Sequence, residues 1–257
     1  MSQKPLILVT NDDGIYAPGI RYLARVAAQY GTIVVVAPDK PQSGMGHAIT
    51  INSTLRLQKT TYHPAELEFS CSGTPVDCVK MAVNHILKQR PDLVLSGINH
   101  GSNSSINVIY SGTMSAAIEG ALEGTPSIGF SLCDYSMEAD FSQAGKFIAS
   151  IIENSLQQKM PKGTCLNVNI PKLPEKELKG IKVVRQAKAN WVEKFEERKD
   201  PYGRSYYWLT GEFVNFEPES SETDEWALAN GYISVVPTHA DLTAHRSIEP
   251  LKFLETI

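Results

Sequence analysis

No run of eighteen consecutive apolar residues occurs in the 257-residue chain, so no segment reads as a transmembrane helix. The first apolar run, residues 6–9 (LILV), is also too short for the core of a signal peptide. Cysteine is scarce: Cys71, Cys78, Cys133 and Cys165 form no CxxC pair, and no histidine stands behind them at zinc-finger spacing. Reduced, buried thiols are expected rather than a disulfide framework. An excess of basic charge is missing too. Lysine plus arginine total 24 against 28 for aspartate plus glutamate, a net charge of -4, which argues against a nucleic-acid polymer as partner. The chain contains no GxxxxGK[ST], GxGxxG, HExxH or GxSxG, and so lacks the signatures of P-loop, dinucleotide-binding, zincin and α/β-hydrolase sites. Internal repeats and low-complexity tracts are absent as well. A soluble, cytoplasmic protein is expected.

What is present suits a packed α/β domain. The composition is 42% hydrophobic and 20% charged, enough apolar surface for a core and too little charge for wholesale disorder. Continuously apolar runs at 6–9, 32–37 (TIVVVA), 92–96 (DLVLS), 126–132 (PSIGFSL) and 164–170 (TCLNVNI) read as buried strands. Between them, helical spacing follows Pro18, Pro75 and Ser111 and recurs at about 138–157. The order predicts a parallel sheet flanked by helices. Alternation at Ile49, Ile51, Leu55 and Leu57, and again at Leu67, Phe69 and Cys71, predicts a β-hairpin inserted at about 48–72. After about 172–180 the pattern changes to short strands, at 181–187, 205–209 and 231–236, separated by the charged stretches 193–200 and 217–225. The expected organisation is a catalytic domain over 1–175 and a β-rich carboxy-terminal segment over 176–257. Strands with little apolar periodicity invite pairing with another subunit.

Ligands of open parallel sheets bind beyond the carboxyl ends of the strands. Three strand-end loops here are rich in oxygen: Asn11-Asp12-Asp13-Gly14, Gln42-Ser43-Gly44, and Gly97-Ile98-Asn99-His100-Gly101-Ser102-Asn103. Adjacent carboxylates repel and shift each other's pKa, which a divalent cation would relieve. Capping of the next helix or an Asx-turn is the alternative role for the pair. With Ser43 and Asn99 the aspartates make an all-oxygen set suited to Mg²⁺ or Mn²⁺, with about two of six coordination positions left for water or substrate. Ser111-Gly112-Thr113 opens a helix whose amino terminus could hold a phosphate, or it is a plain cap. His47, in the Ser43 loop, is a candidate general acid for the leaving group.

The stretches ILVTNDDGIYAPGI (7–20), VAPDKPQSGMGHAIT (36–50), SGTPVDCVKMA (72–82), LVLSGINHGSN (93–103) and YSGTMSAAIEG (110–120) resemble, in order, the SurE family of metal-dependent nucleoside-monophosphate phosphatases, the stationary-phase survival proteins. Residues 223–243 look like the family's carboxy-terminal segment. The resemblance implies a Rossmann-like amino-terminal domain with a smaller β-rich carboxy-terminal part that assembles homodimers or homotetramers. It implies one divalent metal ion per subunit on Asp12, Asp13, Ser43 and Asn99, and a phosphate site lined by Asn11, Gly101, Asn103, Ser111, Gly112 and Thr113. The activity implied is 5′-nucleotidase, by metal-activated water, with 3′-phosphates and polyphosphate left open as substrates. Where relatives continue the Gly-Asn loop with glycine and acidic residues, this chain reads Ser104-Ser105-Ile106-Asn107, which puts base or ribose preference in question. The rival readings are a non-catalytic nucleotide sensor and a haloacid-dehalogenase-like phosphatase with an aspartate nucleophile, whose Asp-x-Asp differs from the adjacent pair here.

Overall fold

The computed structural model describes residues 4–136 and 138–255. Its centre is a mixed, mostly parallel sheet of nine strands: β1 (Leu6–Thr10), β2 (Thr32–Pro38), β3 (Leu57–Lys59), β4 (Leu67–Cys71), β5 (Leu93–His100), β6 (Ser127–Leu132), β7 (Thr164–Ile170), β8 (Ile181–Val183) and β11 (Ile233–His239). Their spatial order is β3-β4-β2-β1-β5-β6-β7-β11-β8. The helices are α1 (Pro18–Ala27), α2 (Pro75–Met81), α3 (Gly112–Leu122), α4 (Gly145–Gln157), α5 (Asp224–Ala229) and the short α6 (His245–Ile248).

Side chains alternate across β1, so Ile7 and Val9 join one core with Ile20, Leu23, Ile148 and Ile152, while Leu8 faces Val79, Ala82 and Ala116. Helices α1 and α4 thus cover one face of the sheet, and α2 and α3 the other. The small residues of α3 let it lie close: a Cβ at Gly120 would meet Ser127 Oγ at 2.4 Å. Helix α2 begins with a capping box, in which Thr74 Oγ1 accepts from the Asp77 N–H and Asp77 accepts from the Thr74 N–H.

The expected parallel sheet is there, and three expectations about elements need correction. The hairpin is β3 with β4, and β4 also pairs parallel to β2 as a strand of the main sheet. Residues 49–55 form no strand, and Ile49 and Ile51 are exposed there. The helix expected at 138–157 is a 3₁₀ turn, Phe141–Ala144, followed by α4; residue 137 lies outside the described residues. The charged stretch at 193–200 is part of β9 (Ala189–Lys199), paired antiparallel with β10 (Ser205–Asn215) as a separate two-stranded ribbon. Residues 190–199 and 205–212 of that ribbon are exposed on both faces, so its sequence carries no buried-side alternation. Strands β8 and β11, both beyond residue 176, extend the central sheet, with β11 antiparallel to β7 and parallel to β8.

Candidate active site

β1 carries its chain out of the core and into a tight turn. Gly14 has φ +95°, and the Ile15 N–H bonds to Pro38 O at 2.8 Å. Asn11 Nδ2 donates to Gly14 O at 2.9 Å. This turn fixes Asp12 and Asp13 at the strand end. Asp12 O accepts from the Gln42 N–H at 2.7 Å, and Asp13 Oδ2 accepts from the His100 N–H at 3.4 Å. Gln42 adjoins Ser43, and His100 adjoins Asn99. Two hydrogen bonds therefore join the three oxygen-rich loops around the aspartates.

The start of α3 completes the cluster. Ser111 is the N-cap, its Oγ accepting from the Met114 N–H at 3.0 Å, which leaves the hydroxyl hydrogen free to donate. A Cβ at Gly112 would lie 2.6 Å from Asp12 Cβ, so glycine is what lets the helix terminus approach the carboxylate. Thr113 Oγ1 donates to Asp12 Oδ1 at 2.5 Å, and the Thr113 N–H supports the same carboxylate. Burial nevertheless pushes the Asp12 carboxyl up to about 6; the Thr113 hydroxyl opposes the rise and the Asp13 charge adds to it. Burial also raises Asp13, against the lowering influence of His100.

The donor set suits a hard cation. Two adjacent carboxylates are held above their usual range, a condition that a divalent charge reverses. Asn11 Oδ1 is buried without a hydrogen-bond partner among the described residues. Asn99 Nδ2 donates to Gly101 O at 2.9 Å, which leaves Oδ1 as the unused acceptor of that amide. Ser43 is exposed on its loop. Among the described residues no three His, Cys, Asp or Glu side chains group to hold a metal, so a cation here needs the neutral oxygens of Ser43 and Asn99 beside the aspartates.

Gly101, at φ +92°, starts the second half of the cradle. Its N–H reaches Leu132 O at 2.8 Å and Asp134 O at 3.1 Å. Asn103 is buried in a network that sequence reading missed. Its N–H donates to Asn169 Oδ1 (2.7 Å), its Nδ2 to Ser131 Oγ (2.8 Å), and its O accepts from Asn167 Nδ2 (2.8 Å). The Asn103 side chain is therefore committed to the sheet. The visible signal was the pair Asn167 and Asn169, two amides on one face of an otherwise apolar strand. Ser104 Oγ donates to Glu225 Oε1 (2.5 Å), and the Ser105 N–H to Asp224 Oδ2 (2.8 Å). The amino terminus of α5 thus pins the loop at Ser104 and Ser105.

His47 is placed differently from the other candidates. Its Nε2 lies 2.9 Å from Glu119 Oε2, two turns along α3 from the Ser111 cap, and Lys80 meets the other Glu119 oxygen at 2.5 Å. Burial would raise the Glu119 carboxyl, but the hydrogen bonds from His47 and Lys80 outweigh it and hold it below the usual range. His47 also lines an apolar groove of about 730 Å³ beside α3, with Ile109, Ile118 and Leu122.

The family model described as survival protein SurE matches residues 7–193. A protein of Flavobacterium psychrophilum named 5′-nucleotidase SurE is 65% identical over 249 residues, 96% of each chain. One of the same name from Bacteroides fragilis is 47% identical over 254 residues, 99% of each chain. The crystal structure of a SurE protein from Aquifex aeolicus superposes with a TM-score of 0.84 at 41% identity, covering 98% of this chain and 100% of that one. The carboxylate pair, the α3 cap and the glycine cradle thus stand on a scaffold shared along nearly the whole chain, and the protein belongs to the SurE family.

Proposed function

We propose that the protein is a divalent-metal-dependent 5′-nucleotidase that hydrolyses nucleoside monophosphates to nucleoside and phosphate. The observation that carries this reading is the buried Asp12 carboxylate, raised to about 6, set against the amino terminus of α3 and beside Asp13. The names of the relatives support the same activity.

Asp12, Asp13, Ser43 and Asn99 would hold one Mg²⁺ or Mn²⁺ ion, which supplies Lewis acidity toward the phosphate oxygens and makes water more acidic. The chain's own residues do the rest. Thr113 holds Asp12 through Oδ1, and Gly112 packs on its Cβ. A carboxylate so restrained is poorly placed for in-line attack on phosphorus, so water is the nucleophile and Asp13, less buried, takes its proton. The Ser111 hydroxyl and the amino end of α3 stabilise charge on the equatorial oxygens. His47, held on Glu119 about 12 Å along α3 from the Ser111 cap, is not assigned the leaving-group proton.

The test is a panel of nucleoside 5′- and 3′-monophosphates, polyphosphate and sugar phosphates, assayed with several metals and with chelator. Phosphate release from 5′-monophosphates is expected with Mg²⁺ or Mn²⁺, is abolished by chelator and returns on adding metal. Full activity in the chelated protein, or none toward any nucleoside monophosphate, refutes the reading.

A further inference from the structure

Serines 104 and 105 are bonded to α5, and Asn107 Oδ1 accepts from Trp191 Nε1 at 2.8 Å. The loop 104–107 is thereby turned toward the chain's own carboxy-terminal elements. The part of a nucleotide beyond its phosphate must be met by something else on the rim of the cradle. One exposed side chain in contact with the cradle is Tyr135.

We propose that the Tyr135 ring is the surface on which the substrate's nucleobase stacks, a subsite that rests on the nucleotidase reading. A Cβ at Gly101 would fall 2.2, 2.6 and 2.9 Å from Cε1, Cδ1 and Cζ of this ring. The ring therefore lies directly over the Gly101 α-carbon, in space that any side chain at position 101 would fill. It is also 72% exposed, so one side is backed by the cradle and the rest faces solvent.

Both neighbours of Tyr135 are tied to the loop that carries Asn99 and Gly101. Asp134 O accepts from the Gly101 N–H at 3.1 Å, and Ser136 O accepts from His100 Nδ1 at 3.0 Å. The Asp134 carboxylate accepts from the Ser136 N–H (3.0 Å) and from Lys172 Nζ (2.9 Å). An exposed aromatic anchored on both sides has already lost much of the freedom that binding would otherwise remove. A base stands one ribose away from its phosphate, and stacking asks only for a π-face. Tyr16 and Tyr62 are also exposed, but they pack edge to face at 4.8 Å and bond hydroxyl to hydroxyl at 3.2 Å, a pair closed on itself.

The experiment compares adenosine 5′-monophosphate with ribose 5-phosphate, which keeps the phosphate and sugar and lacks the base. Both kcat/KM and calorimetric affinity are measured for the parent, Tyr135→Ala, Tyr135→Phe and, at the exposed turn of the β9–β10 ribbon, Tyr202→Ala. Tyr135→Ala is expected to lower the ratio of the two kcat/KM values about tenfold, chiefly through KM. Tyr135→Phe keeps the ratio, and Tyr202→Ala leaves it unchanged. An unchanged ratio in Tyr135→Ala, or an equal fall in Tyr135→Phe, overturns the proposal. If the parent hydrolyses neither compound, the nucleotidase reading fails. The subsite is then judged by affinity: equal binding of the two compounds by the parent, or a preference that survives Tyr135→Ala, overturns it.

Discussion

Asp12 is ionised at neutral pH at a cost. Its folded value of about 6 stands some two units above the ordinary 3.8, equivalent to about 3 kcal/mol against folding once the group is charged. A raised acid favours folding in its neutral form, so the cost is absent below about pH 4, grows as pH rises and is full above about 6. In chelator at pH 8, Asp12→Asn is therefore expected to melt higher than the parent, and added Mn²⁺ to raise the melting temperature of the parent but not of the variant. Calorimetry in both buffers checks this. Asp77 is the opposite case. Burial would raise its carboxyl, but hydrogen bonds from Thr50 and from Thr74 outweigh burial and hold it below the usual value. Stability from a depressed acid is complete above its unfolded pKa, about 4, and is lost as pH falls through the lower folded value. Asp77→Asn is expected to destabilise by about 1–3 kcal/mol near neutrality. Its deficit should narrow below pH 4, as read from denaturant midpoints at pH 7 and pH 3.

At the scale of elements, the cradle depends on a helix far away in sequence. Asp224, fully buried at the start of α5, accepts from the N–H groups of Ser105, Ala187 and Glu225. Asp224→Ala is expected to cost about 2–4 kcal/mol, because two buried donors and one half-buried donor lose their acceptor. It should also speed hydrogen exchange at residues 103–105 and lower phosphatase activity, although Asp224 touches none of the proposed ligands. Exchange mass spectrometry and an assay on the folded variant check both effects. This dependence was not legible in the sequence, where 217–225 reads as a solvated charged stretch. Buried strands were legible because continuous apolar runs need cover on both faces, as at β1, β2 and β5. The proposed ligands were legible because Asp12, Asp13 and Asn99 sit at the ends of such runs. Of the ribbon β9–β10 only the start of β10 was legible, as the strand expected at 205–209, whereas β9 read as a charged stretch because residues 190–199 are exposed on both faces. Asn167 and Asn169 were read as part of a strand, but their link to Asn103 spans more than sixty residues and no local pattern encodes it.

For the whole molecule, the β9–β10 ribbon presents Phe195, Tyr207, Trp208 and Leu209, each more than half exposed. Exposed apolar side chains on a ribbon, with Phe195 opposite Leu209, are the kind of surface that favours association, and we propose that the ribbon joins subunits. Light scattering at micromolar concentration is expected to give more than one chain per particle, and removal of residues 190–215, replaced by a short glycine linker, to lower the number. A strictly monomeric parent would contradict this. The clamp of α5 on Ser104 and Ser105 has a consequence of another kind, in the order of biosynthesis. The cradle loop leaves the ribosome about 120 residues before the helix that fixes it. Strand β11, which lies between β7 and β8, follows later still. A nascent chain can assemble β1, β2 and β5 and bring the two aspartates to Asn99, yet Ser104 and Ser105 have no anchor until α5 has been made. A chain truncated before α5 therefore retains the proposed metal ligands but lacks the clamp on Ser104 and Ser105.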